Sequence, residues 1–370
     1  MKRLKIALVG PLPPPSGGMA NQTRQLAGLL TEEGMDVEVV RTNAPCKPAW
    51  MESVWIARAL FRLIPFLARL WSVAGRVQLF HVMANSGWAW HLLAAPAICI
   101  AKLRRVPVVV NYRGGHAEAF FSRSLFWAKF TMGLADRLIV PSGFLQAVFA
   151  RFNLHAEVVP NVIDLSRFTQ RTDDAGARHD QPHIIVTRNL EPIYDIATAL
   201  RALALVRHTR PGARMTIAGD GPERSMLTEL TRSLGLTDHV VFTGSIDNER
   251  LQELYRHAAL FVNSSVVDNM PNSILEALAS GVPVVSTDAG GIPFMVEHRK
   301  SALLVPPRDP DAMARALLEL LDDPHQAERL AKAGVSLAQQ YSWPNVRGRL
   351  FGVYSTLVGE TPAHIMVESK

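Results

Sequence analysis

The sequence predicts an α/β protein of two doubly wound, Rossmann-like parallel-sheet domains facing a cleft, and three observations predict it. Its 370 residues exceed one ordinary core and suit two, since domains mostly run about 100–200 residues. Short, near-continuously apolar β-branched runs alternate with helix-length segments in both halves, as in parallel strands covered by helices on both faces. A polar, charge-mixed stretch at 169–181 interrupts that rhythm once. The expected domains are therefore 1–165 and 166–340, with ligands bound beyond the carboxyl ends of the strands.

In the first half the strand candidates are 4–10, 37–41, 77–83, 106–112, 137–141 and 156–160. In the second they are 183–188, 214–219, 239–243, 260–263, 282–286 and 301–305. The apolar stretch 88–101 contains Pro96 and ends at Lys102. It is too short for a membrane span, which needs roughly 20 residues, and reads as a buried crossover helix. The segment 52–76 places Arg58, Arg62, Arg69 and Arg76 on one stripe beside a broad apolar face. That is the pattern of an interfacial helix on an anionic membrane or of a domain helix with a solvated arginine face, and Pro65 is expected to kink or divide it.

Apolar residues make up 48% and charged residues 19% of the chain, which excludes a disordered or fibrous protein. The net charge of +6 is unevenly shared. Residues 1–165 hold 18 Lys and Arg against 9 Asp and Glu, and 166–370 hold 21 against 24, so the basic excess lies in the first half. No zinc-finger spacing or RNA-binding aromatic signature accompanies it, so no nucleic-acid partner is expected. Cys46 and Cys99 form no metal or disulfide pattern. The start at Met1-Lys2-Arg3 reads as that of a mature cytoplasmic protein, since its apolar run is too short for a signal peptide.

Two segments carry chemistry. The first loop ends in Gly17-Gly18 just before a helix expected over 22–30, where backbone N–H groups and the helix dipole favour a phosphate. The alternative is a proline-rich turn. The second segment runs from Val267 to Pro293. Asn272 is the expected N-cap, the helix runs over 273–280, and Gly281 ends it before the next strand. Asp268 and Glu276 thus bracket a helix N-terminus, an arrangement suited to a nucleotide sugar: carboxylates take hydroxyl protons and N–H groups take diphosphate oxygens.

At these residues the chain resembles glycosyltransferase family 4 (group 1), the retaining, nucleotide-sugar-dependent enzymes with the GT-B fold. The family hallmark is two glutamates separated by seven residues, then an Ala- and Gly-containing helix end and a Val-Pro-Val-Val strand. Here it reads Asp268, seven residues, Glu276, then Val282-Pro283-Val284-Val285. The likeness extends to Gly17-Gly18, Val159-Pro160-Asn161-Val162-Ile163-Asp164, Ala218-Gly219-Asp220-Gly221-Pro222-Glu223, Phe242-Thr243-Gly244-Ser245 and Gly290-Gly291-Ile292-Pro293.

The resemblance implies roles. Glu276 would accept the ribose hydroxyls and Asp268 a donor-sugar hydroxyl. Asn272 and Ser273 would present backbone donors, and Gly17 and Gly18 would close from the other domain. Asn189, Gly219, Gly221, Met270, Pro271 and Ile274 fall in the implied donor pocket. Of the Arg and Lys that neutralise the leaving diphosphate in the family, Arg188 is present and Tyr194 stands in the lysine's place. Arg113 occupies the place of a family histidine, with His116 a second candidate. The plainer readings are an ion-pair role for Arg188, a structural one for Arg113, a loop histidine at 116 and a solvated helix residue at 276.

No cofactor or metal is expected, because no histidine sits in a metal-ligand pattern. A C-terminal helix at 344–357 would cross back to the first domain. The implied function is retaining transfer from a nucleotide-diphosphate sugar to a glycan or lipid-linked acceptor in cell-envelope polysaccharide, lipopolysaccharide or glycolipid synthesis. It would take place in the cytoplasm, with possible peripheral contact at the inner membrane face. The alternatives are a nucleotide-sugar epimerase or hydrolase on the same fold and a catalytically degenerate binding protein.

Overall fold

The computed structural model describes residues 3–14, 17–44, 55–168 and 181–359. Cys46, residues 52–54 and nearly all of the polar stretch expected at 169–181 lie outside them. Two compact units result: one gathers the chain to Pro160 together with the last helix from Val346, and the other is Asn161–Asn345.

The first unit holds a six-stranded parallel sheet: β1 (Lys5–Gly10), β2 (Asp36–Arg41), β3 (Leu79–Ala84), β4 (Val108–Tyr112), β5 (Arg137–Val140) and β6 (Glu157–Val158), in the order β2-β1-β3-β4-β5-β6. The inner strands β1, β3 and β4 are buried on both faces, which is why they read as unbroken apolar runs. The helices are α1 (Gly18–Glu32), α2 (Trp55–Ala74), α3 (Ala95–Leu103), α4 (Ala117–Gly133) and α5 (Gly143–Arg151). Helices α2 to α5 share one core with Val9, Phe80, Val82, Val108 and Val110. His81 points to the opposite face.

The second unit repeats the plan with β7 (His183–Thr187), β8 (Arg214–Ala218), β9 (Val240–Gly244), β10 (Leu260–Asn263), β11 (Val284–Thr287) and β12 (Leu303–Val305), all parallel. Its order is β12-β11-β10-β7-β8-β9. Helices α6 (Ile196–Thr209), α7 (Arg224–Ser233), α8 (Asn248–Arg256), α9 (Asn272–Ala279), α10 (Pro310–Asp322) and α11 (Pro324–Gln339) cover it, and α12 (Trp343–Val358) leaves it. Local chemistry sets the helix starts: Asp247, Asp309 and Asp323 each accept a first-turn amide at 2.8 or 2.9 Å, the N-cap role that a short acceptor side chain fills.

Two expectations change. The stretch 88–101 is not one buried helix: a π-helical turn at Trp90–Ala94 leads into α3, with Pro96 in its first turn, and Trp88 and Leu92 face solvent. Helix α2 runs unbroken through Pro65 and buries Phe66, Leu70 and Val73 in the core. Its Arg69 and Arg76 both engage Glu38 of β2, at 2.5 and 2.7 Å. The hydrogen bond from Arg76 outweighs desolvation and lowers the Glu38 carboxyl, so these arginines are occupied within the fold. Among the described residues no helix is long and apolar enough to cross a membrane.

Candidate functional site

In the second sheet the strand order reverses between β7 and β10, the switch point where open α/β sheets leave a crevice beyond their carboxyl ends. Arg188 is the first residue after β7, and the loop after β10 carries Ser265 and Asp268. Across 80 positions of sequence the guanidinium Nη2 of Arg188 pairs with Asp268 Oδ2. Its Nη groups also donate to Ser273 Oγ at 3.3 Å and Ser265 Oγ at 3.4 Å. Both side chains of the pair are nearly buried, 11% and 14% exposed, so their attraction is screened little by water. Tyr194, in the place of the family lysine, lies under Arg188 with its ring 4.0 Å from the guanidinium carbon. Arg188 Nε is buried without an acceptor among the described residues.

Glycines hold these loops. Gly291 donates its N–H to Asp268 O at 2.7 Å, and a Cβ on Gly291 would lie 1.9 Å from Asn269 O. On the other flank, Cβ atoms on Gly219 and Gly221 would strike Arg188 O and Leu190 O, at 2.0 and 2.4 Å. The implied donor residues Gly219 and Gly221 therefore act by letting one backbone approach another, which sets where Arg188 emerges.

Glu276 sits one turn into α9. Tyr255 of α8 shares its hydroxyl proton between Glu276 Oε2 and Ser273 O, each at 3.1 Å, and lies 2.6 Å from Thr187 Oγ1. Burial raises the Glu276 carboxyl above its ordinary range, and the Tyr255 hydrogen bond and the charges of Arg188 and Arg167 offset only part of that. Glu276 is therefore an acid held in a poorly solvated place by a fixed donor, not a solvated helix residue.

The start of α9 corrects one expectation. Pro271, not Asn272, is the N-cap, and Asn272 is the first helical residue. Its side-chain oxygen accepts from Asn161 Nδ2 at 2.8 Å, which also donates to Met270 O at 3.1 Å. The amides of Asn272 and Ser273 precede any intrahelical acceptor. The Ile274 side chain is fully buried in the core. Asn189 donates to Glu191 at 3.3 Å.

The remaining candidates lie in the first unit. Gly17 is the N-cap of α1 and Gly18 its first residue. Gly17 has φ of −172°, and a Cβ there would meet nothing within 4 Å. His116 is the exposed N-cap of α4. Arg113 follows β4 and belongs to a polar relay that local sequence does not signal. Its Nε donates to Asn111 Oδ1 at 3.2 Å, Asn111 Nδ2 meets His81 Nε2 at 3.1 Å, and His81 Nδ1 meets Tyr354 OH of α12 at 2.6 Å. Because Arg113 takes the amide oxygen, Asn111 turns its NH2 to Nε2, so the His81 proton sits on Nδ1 and is given to Tyr354. Burial and, after it, the Arg113 charge push the His81 ring down to about 3. Burial lowers Arg113 to about 10.

Sequence reasoning missed Tyr255 and His81, and it reached Asn161 only as part of a family-like string, without a role. Tyr255 lies in a charged amphipathic helix and His81 in an apolar strand, so neither stands out locally. Among the described residues no three His, Cys, Asp or Glu side chains gather as a metal site.

Comparison with known proteins follows the two units closely. Residues 168–336 match the family model for Glycosyl transferases group 1, and residues 16–167 that for Glycosyltransferase Family 4. The chain is 30% identical over 210 residues to the GDP-mannose-dependent alpha-(1-6)-phosphatidylinositol monomannoside mannosyltransferase of Mycobacterium tuberculosis, covering 52% of this chain and 54% of that one. It is 33% identical over 250 residues to the D-inositol 3-phosphate glycosyltransferase of Salinispora tropica, covering 61% and 52%. The chain thus spans about half the length of these curated relatives. The fold is similar to that of the sucrose-phosphate synthase of Thermosynechococcus elongatus, with a TM-score of 0.77 at 22% identity over 96% of this chain and 100% of that one. It is also similar to Anabaena HepE in complex with UDP-glucose, with a TM-score of 0.74 at 18% identity over 96% and 100%.

Proposed function

This chain belongs to the group 1 glycosyltransferases of family 4, its two halves matching the family over residues 16–336, and from that membership we infer that it transfers a sugar from a nucleoside-diphosphate sugar with retention. The acceptor is a glycan or a lipid-linked sugar of the cell envelope, reached from the cytoplasmic side. The observation that carries this reading is the Arg188–Asp268–Ser273 cluster at the switch point, with Glu276 one turn further along α9. The names of relatives and neighbours support the donor class, since one is GDP-mannose-dependent and another was crystallised with UDP-glucose.

Each residue then has a task. Glu276, held by Tyr255, accepts the ribose hydroxyls. Asp268 accepts a hydroxyl of the donor sugar. The diphosphate lies against Arg188, whose Nε has a donor to give, and against the amides of Asn272 and Ser273, where the helix dipole favours negative charge. As the bond from the anomeric carbon to the diphosphate oxygen breaks, charge grows on that oxygen and these fixed donors stabilise it. The acceptor hydroxyl attacks on the same face, forms the new glycosidic bond and passes its proton to the departing diphosphate. Tyr194 adds no charge. It stacks on Arg188 and holds that guanidinium in register, worth about 0.5–2 kcal/mol for a cation over an aromatic face.

In the first unit Gly17 supports a close approach of ligand to backbone, because neither its φ nor its packing calls for glycine. Arg113, fixed by the relay to His81, is offered to the substrate, with His116 beside it in sequence. Charge neutralisation by Arg188 and the helix start supports a reaction without metal.

The test is incubation of the purified protein with GDP- and UDP-sugars, with and without membrane extract and in the presence of EDTA. Nucleoside diphosphate release that depends on the extract supports the transferase. Release without acceptor favours a hydrolase, conversion of the donor alone an epimerase, and binding without turnover a degenerate partner protein.

A further inference from the structure

We propose that the outer face of helices α2 to α4 in the first unit docks on a bilayer surface carrying anionic lipid, with α4 as the inserting element. Helix α4 is apolar on two sides. Its inner side, with Phe121, Ala128 and Met132, is in the core. Past a kink at Ser124 (φ −130°, ψ 25°), its outer side presents Phe126, Trp127 and Phe130 at i, i+1 and i+4, neighbours on one face of a helix, and the three aromatic residues are 75%, 63% and 57% exposed. Exposed aromatic residues clustered on one helix turn mark an interaction surface.

Charge decides the occupant. From Trp55 to Ala135 the chain carries ten Lys and Arg and a single acid, Glu118. Arg123 and Lys129 flank the aromatic rings directly, and no acidic residue falls between Glu118 and Asp136. Where α2 meets α3 the same theme recurs: Trp71 is half exposed under the Arg104 guanidinium, 4.9 Å away, and Leu103 beside it is 70% exposed. A second copy of so cationic a face would be repelled. An anionic bilayer offers both partners at once, an apolar layer for the rings at the interface, where Trp and Phe sit well, and phosphate oxygens for the cations. This face is built from the first unit alone and shares no residue with the donor cluster of the second, so the proposal does not rest on the transfer reaction.

The experiment is flotation of the full chain with phosphatidylcholine vesicles, with and without phosphatidylglycerol, at low and high salt. We expect partition onto the phosphatidylglycerol vesicles that weakens as salt rises. The triple variant Phe126→Ser, Trp127→Ser, Phe130→Ser should lose about tenfold or more of it, and Arg123→Glu with Lys129→Glu a similar factor, since each cation near an anionic surface is worth about fivefold. Unchanged thermal melting shows that these solvent-facing changes leave the fold intact, and unchanged nucleotide affinity separates this result from failure of the donor site. Absence of partition by the wild type, equal partition by the triple variant, or a wild-type dimer that the triple variant converts to monomer would each overturn the proposal.

Discussion

At the scale of single residues, the donor cluster places charged groups where water is scarce and lets neighbours hold them. Glu276 illustrates the tension. Its carboxyl is raised by burial, so between its unfolded and folded pKa the native state holds the proton more tightly, and stability falls as pH rises through that window. At neutral pH the ionised Glu276 therefore costs stability. Glu276→Gln is expected to raise thermal stability by roughly 0.5–2 kcal/mol while weakening nucleotide binding by roughly 1–3 kcal/mol through the lost carboxylate acceptor. Calorimetric titration and a melting curve on one preparation check both, and a variant that binds nucleotide as tightly as wild type contradicts the ribose assignment.

At the scale of elements, the site is made by two loops braced on glycines. Gly291 is the sharpest case, because an added Cβ would lie 1.9 Å from the Asn269 carbonyl oxygen and backbone cannot step aside as a side chain can. Gly291→Ala should destabilise the second unit by about 1–3 kcal/mol and displace Asp268, whose carbonyl accepts from the Gly291 amide. Urea unfolding measures the first effect and nucleotide affinity the second; a drop in stability with affinity intact would mean the loop adapts without moving the acid. This brace was legible in sequence only as the string Gly290-Gly291-Ile292-Pro293. That a pair of glycines meets the loop of Asp268, 22 and 23 residues earlier, depends on β11 lying beside β10. The N-cap of α9 falls at Pro271, one residue before the position its local sequence suggests, and for a similar reason: Asn161, far away in sequence, takes the Asn272 side chain.

At the scale of the whole molecule, the chain returns from its second unit to finish its first. Helix α12 brings Tyr354 against His81, 273 residues away in sequence, and that contact anchors the relay that ends at Arg113. His81 is buried in its neutral form with its pKa pushed down to about 3, against about 6.5 when unfolded. Between those values the unfolded chain binds the extra proton, so stability of the first unit is full above about pH 6.5 and falls as pH drops, by up to about 1.4 kcal/mol per pH unit. Six of the seven tryptophans precede Pro160, so their fluorescence in urea titrations at descending pH reports on that unit. His81→Gln, which cannot take up the proton, should flatten the slope; an unaltered slope would assign the acid sensitivity elsewhere.

The sequence by itself determined the twelve strands, their parallel pairing in two units and the acid-helix-glycine segment at Asp268 to Gly291, because apolar period, cap chemistry and turn glycines act over a few residues. Only the tertiary structure decided that Asp268 is clasped by Arg188 over Tyr194, that Tyr255 holds Glu276, and that α4 turns one aromatic side inward and the other out. Those outcomes join residues tens to hundreds of positions apart, or depend on which side of a helix finds a neighbour, and no local pattern encodes where a distant strand or helix will come to rest.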